Sequence, residues 1–221
     1  MELNVLGFQK IIIAMPALLQ GAGLTILLTL VSIFFGLILG LLLALGRLSK
    51  NVFFDRLSQF YIWLFRGTPL LLQIFFIYYA LPTFTPITID ALPAAFIALS
   101  LNSGAYLAEI IRAAIQSIDK GQMEASKALG MSFTQAMRRI IIPQSYRRLI
   151  PPTGNEFIAL LKDSSLVSII AMTELMRTTS LLANSSGNAI YYIPCAILYL
   201  AMTTIFTFVF GKLEKKYSVY E

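Results

Sequence analysis

The longest uncharged run in the sequence lies between Lys10 and Arg47, and it limits the fold more than any other feature. A helix that crosses a bilayer needs about 20 predominantly apolar residues, so this run is too long for one perpendicular span. The rest of the chain is similar: 57% of the 221 residues are hydrophobic and 13% are charged, against about 45–50% and 25% in soluble domains. The sequence therefore predicts an all-α membrane protein with a single domain over residues 1–221.

Prolines, glycines and charges divide the chain into an N-terminal interfacial helix and five transmembrane helices. Pro16 and the Gly21 and Gly23 pair separate the interfacial helix, residues 8–19, from the first span. The second span is interrupted at the sequence Arg66-Gly67-Thr68-Pro69, where the helix either restarts or kinks at the proline. The five predicted spans are residues 21–46, 57–81, 91–115, 153–171 and 189–210.

Basic residues are distributed unevenly between the loops that connect these spans. Of the 17 lysines and arginines, 13 fall on one side of the predicted topology, and Lys10 and Arg177 fall on the other. The positive-inside rule then places the N-terminus outside and the C-terminus in the cytoplasm. Because the net charge of +6 is concentrated in these short loops, we expect membrane lipid and no nucleic acid as a partner. The N-terminus carries an acid and no basic stretch, so no signal peptide is expected.

Several kinds of chemistry are excluded by residues that the sequence lacks. It has no histidine and only one cysteine, Cys195, so we expect no metal site of His ligands and no intrachain disulfide. It contains no GxxxxGK[ST] motif, so the chain does not hold ATP in a P-loop. We therefore expect no catalytic residue and no cofactor in this chain.

The stretch from Asp119 to Pro143 is the longest that a membrane cannot hold. Residues 121–129 are rich in good helix formers. Asp119 can cap this helix, and Gly130 can close it in the left-handed conformation. The sequence thus predicts a short, water-exposed helix between two spans, with small residues that allow another surface to approach: Ala125, Ser126 and Ala128.

This stretch resembles the cytoplasmic EAA loop of bacterial ABC importer permeases. The matching positions are Glu124-Ala125-Ser126, Gly130, Ile140, Ile142 and Pro143, with Ser126 in place of alanine and Ile142 in place of leucine. Three further runs resemble the polar-amino-acid branch of that family. They are RGTPLLLQIFFIYY from Arg66, NSGAYLAEIIRAAI from Asn102 and GNEFIALLKDSSL from Gly154, and the resemblance covers about residues 20–215.

The resemblance implies a type I ABC importer permease in a bacterial inner membrane. Such a permease pairs with a second permease, identical or closely related, and with two ATP-binding subunits that hold ATP and Mg. A solute-binding protein outside the membrane delivers a free amino acid. The loop of residues 119–143 would contact the ATPases through the following positions: Glu124, Ala125, Ser126, Ala128, Leu129 and Gly130.

Residues 153–156, with the sequence Thr-Gly-Asn-Glu, are the main candidates for solute binding. The preceding Pro-Pro pair predicts a helix that begins at membrane depth, as the broken helices of transporters do. The free N–H groups of Thr153, Gly154 and Asn155 would suit a carboxylate. Glu156 is an intramembrane acid, which indicates function, but the T-x-x-E pattern is also a capping box in which Glu156 would be structural.

Asp163 lies two helical turns beyond Glu156 on the same face, so the two acids would form a negatively charged slot for a cationic side chain. Asp163 could instead pair with Arg66 or, less favourably, with Lys162. Arg66 itself is expected to reach the lipid phosphates or an acid on another helix rather than the solute.

The remaining candidate positions lie on two helices. Leu99 and Phe157 would form an apolar wall, and Asn102 and Ser103 would lie near the bilayer midplane. Polar residues there serve either interhelical hydrogen bonds or a polar solute. The sequence predicts an importer of polar, basic amino acids (arginine, lysine or histidine). A glutamine-type permease, an ion-driven secondary transporter and a membrane scaffold without transport are the alternatives.

Overall fold

The computed structural model describes residues 2–217, and the side chains of residues 9–217. Within this part of the chain every regular element is helical, and short π and 3-10 stretches join several of the helices. The α-helices are α1 (Glu2–Leu48), α2 (Val52–Gly67), α3 (Leu70–Phe75), α4 (Leu81–Phe84), α5 (Ala91–Gln116), α6 (Lys120–Ala128), α7 (Phe133–Ala136), α8 (Ile142–Asp163), α9 (Leu175–Ser186) and α10 (Tyr192–Tyr217).

Three described helices, α1, α5 and α10, are long and apolar enough to cross a membrane. Helix α2 and the segment α3–α4 form a fourth candidate span, bent by 104° at its break. The predicted fourth span begins within α8. This helix is not among the apolar candidates, and it carries five charged residues: Arg147, Arg148, Glu156, Lys162 and Asp163. The five predicted spans thus correspond to α1, the bent pair, α5, α8 and α10.

Helix α1 differs from the prediction, because residues 8–19 and residues 21–46 belong to one continuous helix. Pro16 lies inside it, between the buried residues Ala14 and Leu18. Gly21 is a packing glycine, since a Cβ atom there would lie 2.9 Å from the Cα atom of Leu175. Proline and glycine are tolerated inside membrane helices, where neighbouring groups satisfy the backbone that they free. These residues therefore do not divide α1.

A buried carboxylate caps α9, the helix that packs beside the N-terminal half of α1. Glu174 is fully buried and caps α9: its Oε1 accepts from the Arg177 N–H at 2.7 Å, and its Oε2 accepts from the Met176 N–H at 2.8 Å. The Tyr199 hydroxyl of α10 donates to Oε2 at 3.1 Å. Burial raises the pKa of the Glu174 carboxyl group, and these hydrogen bonds oppose that rise. The predicted outer loop at this position is instead an anchored helix beside α1.

The loop helix agrees with the prediction. Helix α6 begins after Asp119, whose Oδ1 accepts from the Gly121 N–H at 2.7 Å. Gly130 follows the helix with a φ of +78°, in the left-handed region that favours glycine. A second short helix, α7, begins at a capping box formed by Ser132 and Gln135. The polar stretch is therefore folded in two short helices.

Glycines bring α1 and α5 into close contact. A Cβ atom on Gly40 would lie 2.8 Å from the Cβ of Leu107 and 3.0 Å from the backbone nitrogen of Ala108. A Cβ atom on Gly104 of α5 would in turn lie 2.9 Å from the side chain of Leu39. Small residues of this kind allow membrane helices to pack backbone to backbone. The α1–α5 pair therefore depends on glycine at the contact.

We expect Gly40→Ala to destabilise the protein, because the added methyl group has no room and overpacking costs about 1–3 kcal/mol. Gly23→Ala is the matched control on the same helix, since nothing lies within 4 Å of its Cβ position. That change should stabilise α1 by about 0.5–1 kcal/mol through helix propensity. Thermal unfolding of both variants in detergent measures the difference. Equal midpoints for the two variants would contradict the close packing.

Candidate functional site

The break between α2 and α3 lies where the sequence predicts an interruption, and the helix restarts rather than bending smoothly. Helix α2 ends at Gly67 and α3 begins after Pro69. Pro69 has no N–H group, so it cannot donate to the carbonyl of Phe65, four residues earlier. In a membrane such a carbonyl needs another donor, because no water is available in the hydrocarbon core.

Two side-chain amides supply that donor. Gln73 Nε2 donates to the carbonyl of Phe65 at 2.9 Å and lies 3.1 Å from the carbonyl of Thr68. Asn102 Nδ2, from α5, donates to the same Phe65 carbonyl at 3.3 Å and to Gln73 Oε1 at 3.0 Å. The amide of Asn102 therefore connects the break to α5, and Asn102 also lines the cavity described below. Gln73 donates to the same carbonyl and was not identified from the sequence.

Helix α8 begins at Ile142, so the predicted helix start at Thr153 is wrong. Both prolines of the Pro151-Pro152 pair lie inside α8. A proline keeps helical φ and removes one N–H, and prolines are tolerated inside membrane helices. The hydroxyl of Thr153 donates to the carbonyl of Leu149 at 2.8 Å. The N–H groups of residues 153–155 therefore lie in the interior of a helix and do not form a carboxylate site.

Gly154 and Asn155 face away from the cavities of the site. A Cβ atom on Gly154 would lie 2.8 Å from the ring of Phe210, so this glycine allows α8 to approach α10. Asn155 is exposed. Phe157 is buried, with its ring centroid 4.5 Å from that of Phe206. Leu99 is buried too, and neither Phe157 nor Leu99 lines the cavities described here. The predicted apolar wall therefore belongs to the protein core.

A cavity of about 590 Å³, here called the mid-span cavity, lies between the break and the helices α5 and α8. Its polar lining consists mainly of Arg66, Thr68, Asn102, Tyr106, Glu156 and Asp163. Glu156 and Asp163 both face it, as their spacing on α8 predicts. Its apolar lining comes from residues that include Leu70, Leu160 and Leu166. The two acids and one arginine therefore share a single cavity.

Glu156 is not the second half of a capping box. Its Oε1 accepts a hydrogen bond at 2.9 Å from the Ser103 hydroxyl of α5. Ser103 is completely buried, whereas Glu156 is half-buried and lines the mid-span cavity. The serine thus orients one carboxylate oxygen from behind and leaves Glu156 directed towards the cavity. Asp163 is exposed and lines the same cavity. Neither Arg66 nor Lys162 forms an ion pair with it.

Arg66 lines this cavity and lies beside two residues of α5, the aromatic Tyr106 and the acidic Glu109. Its guanidinium carbon lies 5.2 Å from the centre of the Tyr106 ring, and its Nη1 lies 3.9 Å from Glu109 Oε2. Arg112 binds the same carboxylate with two hydrogen bonds, of 3.1 and 2.5 Å. Glu109 and Arg112 therefore form an ion pair, and Arg66 has the predicted acid on another helix within reach.

A second cavity, here called the loop-side cavity, lies nearer the polar loop and has a volume of about 460 Å³. It shares Arg66 and Tyr106 with the mid-span cavity. The rest of its lining includes Glu109, Ser117 and Arg148. The Arg148 guanidinium donates to the carbonyl of Ser117 and so connects α8 with the end of α5.

The loop helix α6 presents most of its predicted contact residues to solvent. Glu124, Ala125 and Ala128 are exposed, and Leu129 is 79% exposed. Ser126 is buried instead, and its hydroxyl donates to the carbonyl of Gln122. Ser126 therefore packs inward and is unavailable to a partner in this arrangement. Across the described residues, no group of three or more acid or cysteine side chains could hold a metal ion.

Comparison with known proteins identifies relatives along nearly the whole chain. The probable amino-acid permease protein YxeN of Bacillus subtilis is 42% identical and covers 98% of each sequence. The arginine transport system permease protein ArtQ of the same organism is 39% identical, over 96% of this chain and 97% of that protein. The glutamine transport system permease protein GlnP of Escherichia coli is 36% identical, over 93% and 95%.

A solved structure shows the same fold. A crystal structure described as an amino acid ABC transporter with histidines matches with a TM-score of 0.89 and 38% identity, over 95% of this chain and 98% of that one. Residues 33–219 also match the family described as the binding-protein-dependent transport system inner membrane component. These findings support an ATP-driven importer over the ion-driven and scaffold alternatives. The chain therefore belongs to the family of binding-protein-dependent transport system inner membrane components, as the permease of an amino acid ABC importer.

Proposed function

We propose that this permease imports amino acids with cationic side chains, such as arginine, lysine or histidine, through the mid-span cavity. The observation that carries the proposal is that Glu156 and Asp163 line one cavity of about 590 Å³. That volume is typical of small-molecule sites. Two carboxylates that face the same space favour a cation between them. Intramembrane acids of this kind commonly mark a transport path.

The carboxylate of the amino acid needs a partner other than the helix start predicted at residues 153–155. Arg66 supplies one, because its guanidinium group lines the same cavity as the two acids. A guanidinium group binds carboxylates in a planar, two-bonded geometry. Arg66 is half-exposed and lies 3.9 Å from Glu109, so it is not enclosed in a tight ion pair. The cavity thus offers opposite charges to the two ends of a basic amino acid.

The named substrates of the relatives support two candidates. ArtQ is named for arginine, and GlnP is named for glutamine. Glutamine is the second candidate because its side-chain amide can donate to the same carboxylates. A basic substrate is favoured here because neither Glu156 nor Asp163 has a cationic partner within 4 Å. An unpaired acid in a membrane cavity gains most from a charged ligand.

The permease would work as one part of a larger assembly in a bacterial inner membrane. Two permease subunits, identical or closely related, would form the pathway, and a solute-binding protein outside would deliver the amino acid. Two ATP-binding subunits, which hold ATP and Mg, would dock on α6 through its exposed residues Glu124, Ala125, Ala128 and Leu129. ATP-driven closure of these subunits would move α6 and switch the access of the mid-span cavity between the two sides.

Glu156→Gln should weaken the binding of arginine or lysine by about 1.4–4 kcal/mol, because it removes one partner of a desolvated charged contact. The binding of glutamine should change much less. Asp163→Asn should act in the same direction, and the two effects should not add, because the acids share one ligand. Equilibrium binding of arginine and glutamine to each mutant complex in detergent measures this, with Glu214→Gln on α10 as the control. Equal losses for both amino acids would end the basic-substrate proposal.

Gly130→Pro and Glu124→Lys should reduce solute-stimulated ATP hydrolysis while membrane insertion and amino-acid binding remain. Gly130 closes α6 with a φ of +78°, a conformation closed to proline, and Glu124 lies exposed on the face proposed to dock. Leu129→Ala tests the same face without a change of charge. ATPase measurements on the assembled complex decide, and full stimulated activity in all three variants would refute the coupling role.

Thiol labelling tests the proposed orientation, with Cys195→Ser as the background. Cysteines placed at Lys10 and Asn184 should react with impermeant reagents added outside the cell. Cysteines placed at Gly121 and Lys215 should react only after the membrane is opened. The expectation rests on the positive-inside rule. Labelling of the Gly121 position from outside would reverse the topology and remove α6 from the ATPases.

A further inference from the structure

The two cavities follow one another along the same pair of helices. Lining residues recur on α5 and its C-cap at positions 102, 106, 109, 113 and 117, and on α8 at positions 148, 152, 156, 159 and 163. Intervals of three and four residues keep side chains on one helix face. The α8 face extends about 22 Å, at 1.5 Å per residue. The two cavities therefore lie one after the other along these helix faces, here called the path, and Arg66 and Tyr106 line both of them.

The charge along this path changes sign. Arg66 lines both cavities. Besides it, the mid-span cavity contains Glu156 and Asp163, whereas the loop-side cavity contains Arg148 and Glu109. The acid in the loop-side cavity, Glu109, is already bound by two hydrogen bonds from Arg112. Arginine charge therefore dominates the end of the path near the polar loop, and carboxylate charge dominates the middle.

We propose that the loop-side cavity is a second site on the transport path, which binds the carboxylate of the departing amino acid through Arg66 and Arg148. The inference rests on the proposed function only in placing the first site in the mid-span cavity. Arg66 lines both cavities, so it can hold the carboxylate while the rest of the molecule passes Tyr106. Every free α-amino acid carries that carboxylate, so this second site is independent of the side chain that the first site selects.

The sign change predicts a reversal of thiol reactivity between two alanines. Ala113 lines the loop-side cavity and Ala159 lines the mid-span cavity. In a Cys195→Ser background, Ala113→Cys should react faster with an anionic methanethiosulfonate than with a cationic one, by about tenfold. Ala159→Cys should show the opposite preference. The labelling is done on the complete complex in detergent, where reagents have access from both sides.

A charge variant and a ligand complete the labelling experiment. Adding Arg148→Gln should lower the preference for the anionic reagent at position 113. The preference for the cationic reagent at position 159 should stay unchanged. The amino acid that the wild-type complex transports should slow labelling at both positions. The same reagent preference at both positions, or protection at position 159 alone, would overturn the proposal. Slower labelling at position 113 in anionic than in neutral lipid nanodiscs, without protection by the amino acid, would assign the cavity to a lipid headgroup instead.

An uptake assay on a variant with a larger side chain in the loop-side cavity tests the same path. Ala113→Phe should fill the loop-side cavity and reduce uptake into proteoliposomes by at least about tenfold, while the amino acid still protects a cysteine at position 159 from labelling. Ala201→Phe is the matched control, since Ala201 is exposed on α10 and lines neither cavity. Normal uptake in the Ala113→Phe variant would place the exit elsewhere. The assay uses whichever amino acid the wild type transports, so a wrong substrate class in the proposed function would not affect its outcome.

Discussion

One backbone carbonyl at the break in the second span determines the arrangement around the cavities. Pro69 cannot donate to the carbonyl of Phe65, and α2 ends at Gly67, so this carbonyl has no helical N–H donor. Gln73 and Asn102 both donate to it, at 2.9 and 3.3 Å. The break is thereby fixed to α5, and Arg66, one residue after Phe65, is held at the boundary between the two cavities.

The substrate site depends on this arrangement through contacts between helices. Ser103 follows Asn102 on α5 and orients Glu156 of α8 at 2.9 Å, so neighbouring residues of α5 hold both the break and the acid. Asn102 and Ser103 thus make interhelical hydrogen bonds, and the charged groups that line the cavity are Arg66, Glu156 and Asp163. A site of two acids and one arginine suits a ligand with charges of both signs, as a free amino acid has.

Local chemistry made much of the fold predictable from the sequence. The bounds of α5, the restart after Pro69 and the cap of α6 by Asp119 all follow from residues that act within one or two helical turns. The prediction was wrong at Thr153 and differed from the structure at Pro16, because prolines that would end a helix in water lie inside membrane helices. Gln73 and Glu174 were missed because their roles depend on partners far away in sequence: Asn102 and Tyr199. Leu99 was predicted to line the site but lies in the core, because its burial also depends on helices that are distant in the sequence.

The central claim is that the amino acid binds between the acids of α8 and the arginine at the break. A structure of the assembled transporter, determined by electron cryomicroscopy with the transported amino acid present, tests this most directly. The account predicts ligand density in the mid-span cavity, with the carboxylate within hydrogen-bonding distance of Arg66 and the side chain beside Glu156 and Asp163. Ligand density outside this cavity, with Glu156 still bonded only to Ser103, would contradict it.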